Sequence, residues 1–181
     1  MNKTLYKVFN YGLSSGGWFA CALGAAHGFP WAGPLVVGAA AGLHLWQGAP
    51  DWRREARYLG LAALFGFVVD SLFAASGFIV YQGGFVNGLA PLWITAMWVL
   101  FAIQLNASLR WLHGRMWLAV PLRAWGGISS YFAGQGLGAI EIMPTPLTAG
   151  IILGVVWALA VPVLLWLGER VTEVGAANNQ A

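Results

Sequence analysis

The sequence predicts an all-α membrane protein, a polytopic bundle of six transmembrane helices, and three observations support this prediction. Of the 181 residues, 59% are hydrophobic and only 8% are charged, whereas soluble domains carry about 25% charged residues. Apolar stretches of roughly 20 residues, the length that crosses a bilayer, recur along almost the whole chain. The basic residues fall in alternate connections between these stretches, as they do in multi-pass membrane proteins.

The apolar stretches divide the chain into six spans joined by short connections rich in turn residues. Because no connection is long enough for a soluble domain, residues 1–181 form a single integral membrane domain. The first span begins with basic residues but continues for the length of a full helix, so we expect an uncleaved helix rather than a signal peptide. The spans are predicted near residues 6–27, 33–48, 58–81, 89–112, 116–140 and 148–168, and residues 169–181 form a cytoplasmic tail.

The positions of the basic residues predict the orientation of the chain. Lys and Arg precede the first span, lie between spans two and three and between spans four and five, and follow span six, whereas the three opposite loops contain neither. The positive-inside rule then places both termini in the cytoplasm. The net charge of +3 is explained by this distribution, so we expect no nucleic-acid partner. The residues are Lys3, Lys7, Arg53, Arg54, Arg57, Arg110, Arg115 and Arg170.

Two of the predicted helices carry a stripe of small and polar residues, which is typical of helices that pack closely against protein inside a membrane. In the first span the stripe comprises Asn10, Ser14, Gly17, Cys21, Gly24 and Gly28. In the fifth span, six residues fall on one face of a single helix: Arg123, Gly127, Ser130, Gly134, Gly138 and Glu141.

Several polar residues are predicted to meet inside the membrane, where charge is expensive. Asp70 falls almost at the middle of the third span, and Arg123 reaches toward that depth from the cytoplasmic side. We therefore expect Asp70, Arg123, Asn106, Gln104 and His44 to share one cluster, in which Asp70 pairs with Arg123 first and His44 second. Such a cluster is either a buried network of hydrogen bonds or ion pairs that fixes helix register or a site for a substrate, proton or ion. Glu141 and His27 form a weaker candidate site at the outer side.

No catalytic or metal-binding motif is present in the sequence. HExxH and Walker motifs are absent, as is a GxSxG nucleophile elbow, which requires a strand-to-helix turn. A single cysteine, Cys21, rules out an internal disulfide or a multi-cysteine metal site. We therefore expect no metal and no cofactor. An enzyme is less favoured than a binding protein, although Asp70 could act as an acid or base on a lipid.

Three segments resemble a known family. They are GWFACALGAAHGFPWAGPL at residues 17–35, DSLFAASG around Asp70, and APLWITAMWVLFAIQLNASLRWL at residues 90–112. The chain resembles the domain-of-unknown-function 2878 family of bacterial inner-membrane proteins over roughly residues 8–170. The resemblance implies localisation in the bacterial inner membrane. It also implies a lipid-related role, because genes of the family are often found near genes for cyclopropane-fatty-acid-synthase-like enzymes and flavin oxidoreductases.

The sequence and the resemblance together favour a lipid-related accessory protein that binds or presents an apolar or amphiphilic ligand. Its partners would be the lipid bilayer, a lipid or other apolar ligand, and a membrane-protein partner or a second copy of the chain. Three alternatives stay open: a small-solute or proton-coupled transporter, an intramembrane lipid-modifying enzyme that uses Asp70, and a structural subunit of a membrane complex. A cavity that reaches Asp70 from the side would favour ligand binding or catalysis.

Overall fold

In the computed structural model, the described part of the chain contains six α-helices, and two short strands lie in the connections between them. The structure describes residues 3–47, 49, 51–106 and 116–171, apart from the side chains of residues 3–11, 116–120 and 123–124. The predicted all-α class and the six helices are confirmed. The elements are α1 (Lys3–Ala26), α2 (Ala32–Gln47), α3 (Trp52–Ala75), β1 (Ile79–Tyr81), α4 (Leu92–Asn106), α5 (Met116–Gly136), β2 (Ile140–Ile142) and α6 (Pro146–Val171).

The third and fifth helices end earlier than the sequence predicted. Span three was predicted to reach residue 81, but α3 ends at Ala75 and residues 79–81 form β1. The shared helical face that was predicted to run from Arg123 to Glu141 is also wrong, because α5 ends at Gly136. Gly77 and Gly138 have positive φ angles just beyond the two helices, the left-handed conformation with which glycine commonly terminates a helix.

The two strands pair antiparallel and join the ends of α3 and α5. Val80 lies opposite Glu141 in this ladder, and Met143 N donates a further hydrogen bond to Phe78 O, 3.1 Å away. The α1–α2 turn lies against the same region, since the rings of Trp31 and Phe85 are 5.4 Å apart. We call this region, formed by residues 27–31, 76–91 and 137–145, the strand end of the bundle.

The opposite end of the bundle is formed where α2 ends, α3 begins and α6 ends. We call it the basic end, because it carries Arg53, Arg54, Arg57 and Arg170. The N-terminus of α3 is capped here by Asp51, whose carboxylate accepts hydrogen bonds from the backbone amides of Arg53 and Arg54 at 3.0 and 3.2 Å. Capping of this kind satisfies amides that have no partner within the helix.

Small residues in the middle of the stripe predicted for the first span bring the helices into close contact, whereas Gly28 is exposed and the side chain of Asn10 lies outside the described residues. Ser14, Gly17 and Cys21 are buried, and a Cβ atom at Gly17 would lie 2.9 Å from a methyl group of Leu100 in α4. Helix α2 approaches the same stripe through Gly33, where a Cβ atom would overlap the Cys21 backbone. These glycines allow α1 to pack against both α2 and α4.

Two of the described helices, α3 and α6, are long and apolar enough to cross a membrane, and α4 is apolar but shorter. Both α3 and α6 expose large apolar side chains. On α3 these recur on one face at Leu61, Leu64, Val68 and Leu72. Since soluble proteins rarely expose extended apolar surfaces, this pattern indicates membrane association.

Candidate functional site

Asp70 lies at the centre of a hydrogen-bonded cluster of aromatic side chains. Its side chain is fully buried, and its two oxygens accept three hydrogen bonds, each 2.6 Å long. Oδ1 accepts from the hydroxyl groups of Tyr81 and Tyr131, and Oδ2 accepts from the indole Nε1 of Trp98. Because a tryptophan indole can only donate, the cluster presents donors to both carboxylate oxygens.

Three different elements position these donors around the end of α3. Trp98 belongs to α4, Tyr131 to α5, and Tyr81 to β1, where strand pairing with Ile140 fixes its backbone. Asp70 precedes the last residue of α3 by five positions, or about 7 Å along the helix axis. The expectation that Asp70 lies at the middle of its span is therefore wrong, and the carboxylate lies near the strand end.

Tyr81 connects this cluster to the strand end. The residue is half-buried, and burial, followed by the charge of the Asp70 carboxylate, raises the pKa of its phenol well above the usual value. The Tyr81 hydroxyl therefore stays protonated and donates to Asp70 over the whole physiological pH range.

Trp98 also forms part of a stack of indole rings. Its ring lies parallel to that of Trp157 from α6, with the centroids 5.0 Å apart and an interplanar angle of 2°. Gly66 of α3 lies against Trp98, and Gly127 of α5 lies against Trp157; a Cβ atom at either glycine would overlap the adjacent indole. This Trp98–Trp157 stack therefore joins four helices and requires glycine at both ends.

A cavity of about 220 Å³ lies beside the stack. Its lining residues belong to α1, α4, α5 and α6 and extend along almost the whole described length of α4, from Ile94 to Gln104. The lining is mostly aromatic and aliphatic, and Ser14, Gln104 and Ser130 supply uncharged polar groups. We call this the aromatic cavity; its lining is Ser14, Trp18, Ile94, Met97, Trp98, Leu100, Phe101, Gln104, Gly126, Gly127, Ser130, Tyr131 and Trp157.

Helices α1 and α5 face each other across the aromatic cavity. The indole Nε1 of Trp18 donates a 2.8 Å hydrogen bond to Ser130 Oγ across this gap, whereas α1 packs mainly on α2 and α4, and α5 mainly on α6. Gly126, which also lines the cavity, is exposed. The cavity is therefore accessible from the side of the bundle.

The cavity reaches two of the groups that bind Asp70. Trp98 and Tyr131 line the cavity on one side and donate to the carboxylate on the other. Asp70 itself is not part of the lining, so its direct role is to fix the orientation of two wall residues. Buried networks of this kind hold side chains in one rotamer when all their members are satisfied.

A second buried polar cluster lies at the basic end and contains Asn106 and His44. His44 Nε2 is 3.0 Å from Glu55 Oε1, and Asn106 Nδ2 donates to both oxygens of Glu55 at 3.1 and 3.2 Å. Glu55 and Asp70 are fifteen positions apart in α3, or about 22 Å along its axis. The single cluster predicted from the sequence is therefore wrong, and His44 contacts Glu55 instead of Asp70.

The remaining predicted site residues lie in different places. Gln104 lines the aromatic cavity, and the side chain of Arg123 lies outside the described residues, so its pairing with Asp70 stays a prediction. Glu141 is exposed in β2. His27 is also exposed, and its Nδ1 atom lies 2.9 Å from the carbonyl oxygen of Leu23 in α1. Within the described ranges, no group of three His, Cys, Asp or Glu side chains could hold a metal ion.

The fold and the cavity define the class of protein. It is a helical bundle with apolar outer faces and an aromatic cavity in its side, and a buried carboxyl group binds two residues of the cavity wall. The family follows from a direct match. The family model described as Protein of unknown function (DUF2878) matches residues 7–163, and the chain belongs to this family. No curated protein and no solved structure matches the chain.

Proposed function

We propose that the protein is a multi-pass inner-membrane protein whose six helices all cross the bilayer. Like α3, α6 exposes large apolar side chains, and these recur at every fourth residue from Leu147 to Val163. Exposed tryptophans lie at both ends of the bundle, Trp46, Trp52 and Trp166 at the basic end and Trp31 at the strand end. Tryptophan is enriched at both interfaces of a membrane, so these residues support a placement with the helix axes across the bilayer.

In the proposed orientation the basic end faces the cytoplasm. The strand end, residues 27–31, 76–91 and 137–145, contains no Lys or Arg, as the positive-inside rule requires of a translocated surface. Reporter fusions after Gln82 and after Met143 should therefore read periplasmic, and a fusion after Arg54 should read cytoplasmic. A cytoplasmic reading at Gln82 would refute this topology.

Within that membrane we propose that the aromatic cavity binds one apolar segment of an amphiphilic ligand, as expected of a lipid-related accessory protein. The observation that carries this proposal is the position of the cavity, which opens on the side of the bundle between α1 and α5. In a bilayer that side faces the acyl chains, so a lipid can enter the cavity without crossing water. The aromatic and aliphatic lining favours the chain over a charged group.

The size of the cavity limits what it can hold. Pockets for drug-sized ligands are typically about 300–1,000 Å³, and this cavity is about 220 Å³. It therefore fits a segment of one chain or a small ring rather than a whole phospholipid, and the rest of the ligand would extend into the bilayer. Ser14 and Gln104 can form hydrogen bonds with an uncharged polar group such as a hydroxyl or carbonyl.

Asp70 acts in this proposal as a positioning residue. It holds the indole of Trp98 and the phenol of Tyr131 in the cavity wall through its two oxygens. A wall that is already ordered before the ligand arrives loses less conformational entropy on binding. The carboxylate thus contributes to ligand affinity without touching the ligand.

Gly126→Leu tests this proposal by filling the cavity. A Cβ atom at Gly126 has no heavy atom within 4 Å, so the larger side chain can be accommodated without disturbing the fold. Displacing two methylene groups of a bound chain costs about 1.6 kcal/mol, roughly a 15-fold loss of affinity. Native mass spectrometry of gently extracted protein, combined with lipid analysis, should show a ligand retained by the wild-type chain and lost from the variant.

Gly42→Leu is the matched control, because Gly42 is an exposed helical glycine of α2 with the same open surroundings and does not line the cavity. It should retain the ligand at the wild-type level. A wild-type protein that retains no lipid or other amphiphile, or equal retention by the two glycine variants, would rule out ligand binding in this cavity.

A further inference from the structure

A second surface depression lies at the basic end, between the start of α3 and the end of α6. It is an open groove of about 840 Å³, which is large enough for a phospholipid headgroup and separate from the aromatic cavity. Three guanidinium groups and two exposed leucines surround it. We call it the arginine groove; its lining is Arg54, Arg57, Gly60, Leu61, Leu64, Arg170 and Val171.

The charge of the arginine groove is only partly neutralised. Arg54 forms an ion pair with Asp51, with Nε 3.2 Å from Oδ2, and Asp51 also caps α3. Glu55, the nearest acid in α3, is buried against His44 and Asn106. The guanidinium of Arg170 lies over the exposed ring of Trp166, 5.5 Å from its centroid, a contact that leaves the positive charge in place. The lining itself contains three arginines and no acidic residue.

The groove changes from charged to apolar along the axis of α3. Arg57 and Leu64 are seven positions apart, or about 10 Å, and the exposed residue Gly60 between them has no heavy atom within 4 Å of a Cβ position. In the membrane placement proposed above, on which this inference rests, the arginines lie at the cytoplasmic headgroup level. Gly60, Leu61 and Leu64 then lie at the level of the first acyl-chain carbons.

We propose that the arginine groove binds an anionic phospholipid of the cytoplasmic leaflet. The phosphate would lie between Arg57 and Arg170, since guanidinium groups bind phosphate through paired hydrogen bonds. One acyl chain would lie over Gly60 and against Leu61 and Leu64. Basic pockets between transmembrane helices at the cytoplasmic face recognise such headgroups.

Arg53 separates this proposal from a general role of arginine in membrane orientation. It lies in the same turn as Arg54 and carries the same charge, but its guanidinium lies 5.5 Å from the centroid of the Trp52 ring and does not line the groove. If the arginines only set the topology, replacing Arg53, Arg57 or Arg170 would have the same effect on lipid binding. If the groove binds a headgroup, Arg57 and Arg170 matter more than Arg53.

The test uses the full-length protein in nanodiscs of mixed phosphatidylglycerol and phosphatidylethanolamine. Native mass spectrometry after release from the nanodisc measures which lipid remains bound. The wild-type protein should retain phosphatidylglycerol preferentially. A basic residue that contacts an anionic lipid contributes about a fivefold change in affinity, so Arg57→Gln combined with Arg170→Gln should reduce this retention by about 25-fold. Arg53 does not line the groove, so Arg53→Gln should leave the retained fraction close to wild type.

Gly60→Leu adds a test that leaves the charge unchanged, because its side chain would occupy the path of the acyl chain. It should reduce phosphatidylglycerol retention while leaving the melting temperature at or above that of the wild type. Equal retention by the arginine double variant and by Arg53→Gln would overturn the proposal. That result would leave the membrane placement intact, whereas failure of the wild-type protein to insert into nanodiscs would count against the membrane placement itself.

Discussion

Replacing Asp70 by leucine should destabilise the protein by at least about 2 kcal/mol, because it removes the acceptor for three donors at once. Trp98 and Tyr131 are almost completely buried and would each lose the hydrogen bond to Asp70. A buried donor without a partner costs about 1–3 kcal/mol. Tyr81 is only half-buried, so its hydroxyl can turn toward water. Thermal unfolding in detergent should show a clear loss in Tm.

A double-mutant cycle with Tyr131→Phe identifies the cause of this loss. In the wild-type background, Tyr131→Phe removes a buried hydrogen bond to the Asp70 carboxyl group and should cost about 1–3 kcal/mol. In the Asp70→Leu background the same change removes a hydroxyl that has already lost its bond to Asp70, so it should cost much less than in the wild-type background. Glu141→Gln, a change at an exposed carboxyl group in β2, is the control and should leave Tm unchanged. Additive effects of the two substitutions would mean that Asp70 and Tyr131 are not coupled.

The helices could be predicted from the sequence because apolar stretches of membrane length are a strong signal. The strands could not, because each has only three residues and β1 is apolar, so Ile79–Tyr81 extended the third apolar stretch without a break. Gly77 was the available signal for the end of α3, since glycine commonly follows the last turn of a helix. Gly138 marks the end of α5 in the same way.

The partners of Asp70 were missed because a buried carboxylate was expected to pair with a cation. Aromatic N–H and O–H groups can satisfy the same oxygens without burying a second charge. The donors lie 11, 28 and 61 positions away along the chain, and no periodicity links residues at such separations. The three donors therefore became apparent only when α4, α5 and β1 were assembled around α3.

At the basic end, the burial of Glu55 was not predicted from the sequence. Glu55 is surrounded in sequence by Arg53, Arg54 and Arg57 and was not singled out, because a charged segment is usually exposed. The start of α3 nevertheless turns Glu55 inward, where it binds His44 and Asn106. A helix places neighbouring residues about 100° apart, so one acid within a basic segment can be buried while the arginines beside it stay exposed.

Gly66→Ala and Gly127→Ala should each destabilise the protein, since both glycines contact the Trp98–Trp157 stack. The added methyl group would overlap Trp98 in the first variant and Trp157 in the second. Neither ring can easily move away. Trp98 is bound to Asp70 and stacked on Trp157, and Trp157 also packs edge-on against Phe101. Overpacking of a core by a methyl group costs about 1–3 kcal/mol, which thermal unfolding in detergent should detect.

Each of these variants has a matched control in its own helix, for which the expected change in stability has the opposite sign. Gly60 in α3 and Gly126 in α5 have no heavy atom within 4 Å of a Cβ position. Alanine there should stabilise by about 0.5–1 kcal/mol through its higher helix propensity. Trp98→Leu gives a further test, because a smaller side chain makes room for the methyl group and should reduce the cost of Gly66→Ala. If Gly66→Ala and Gly60→Ala shift Tm in the same direction and by similar amounts, the glycines are not required by the stack, and the four helices must be held together by other contacts.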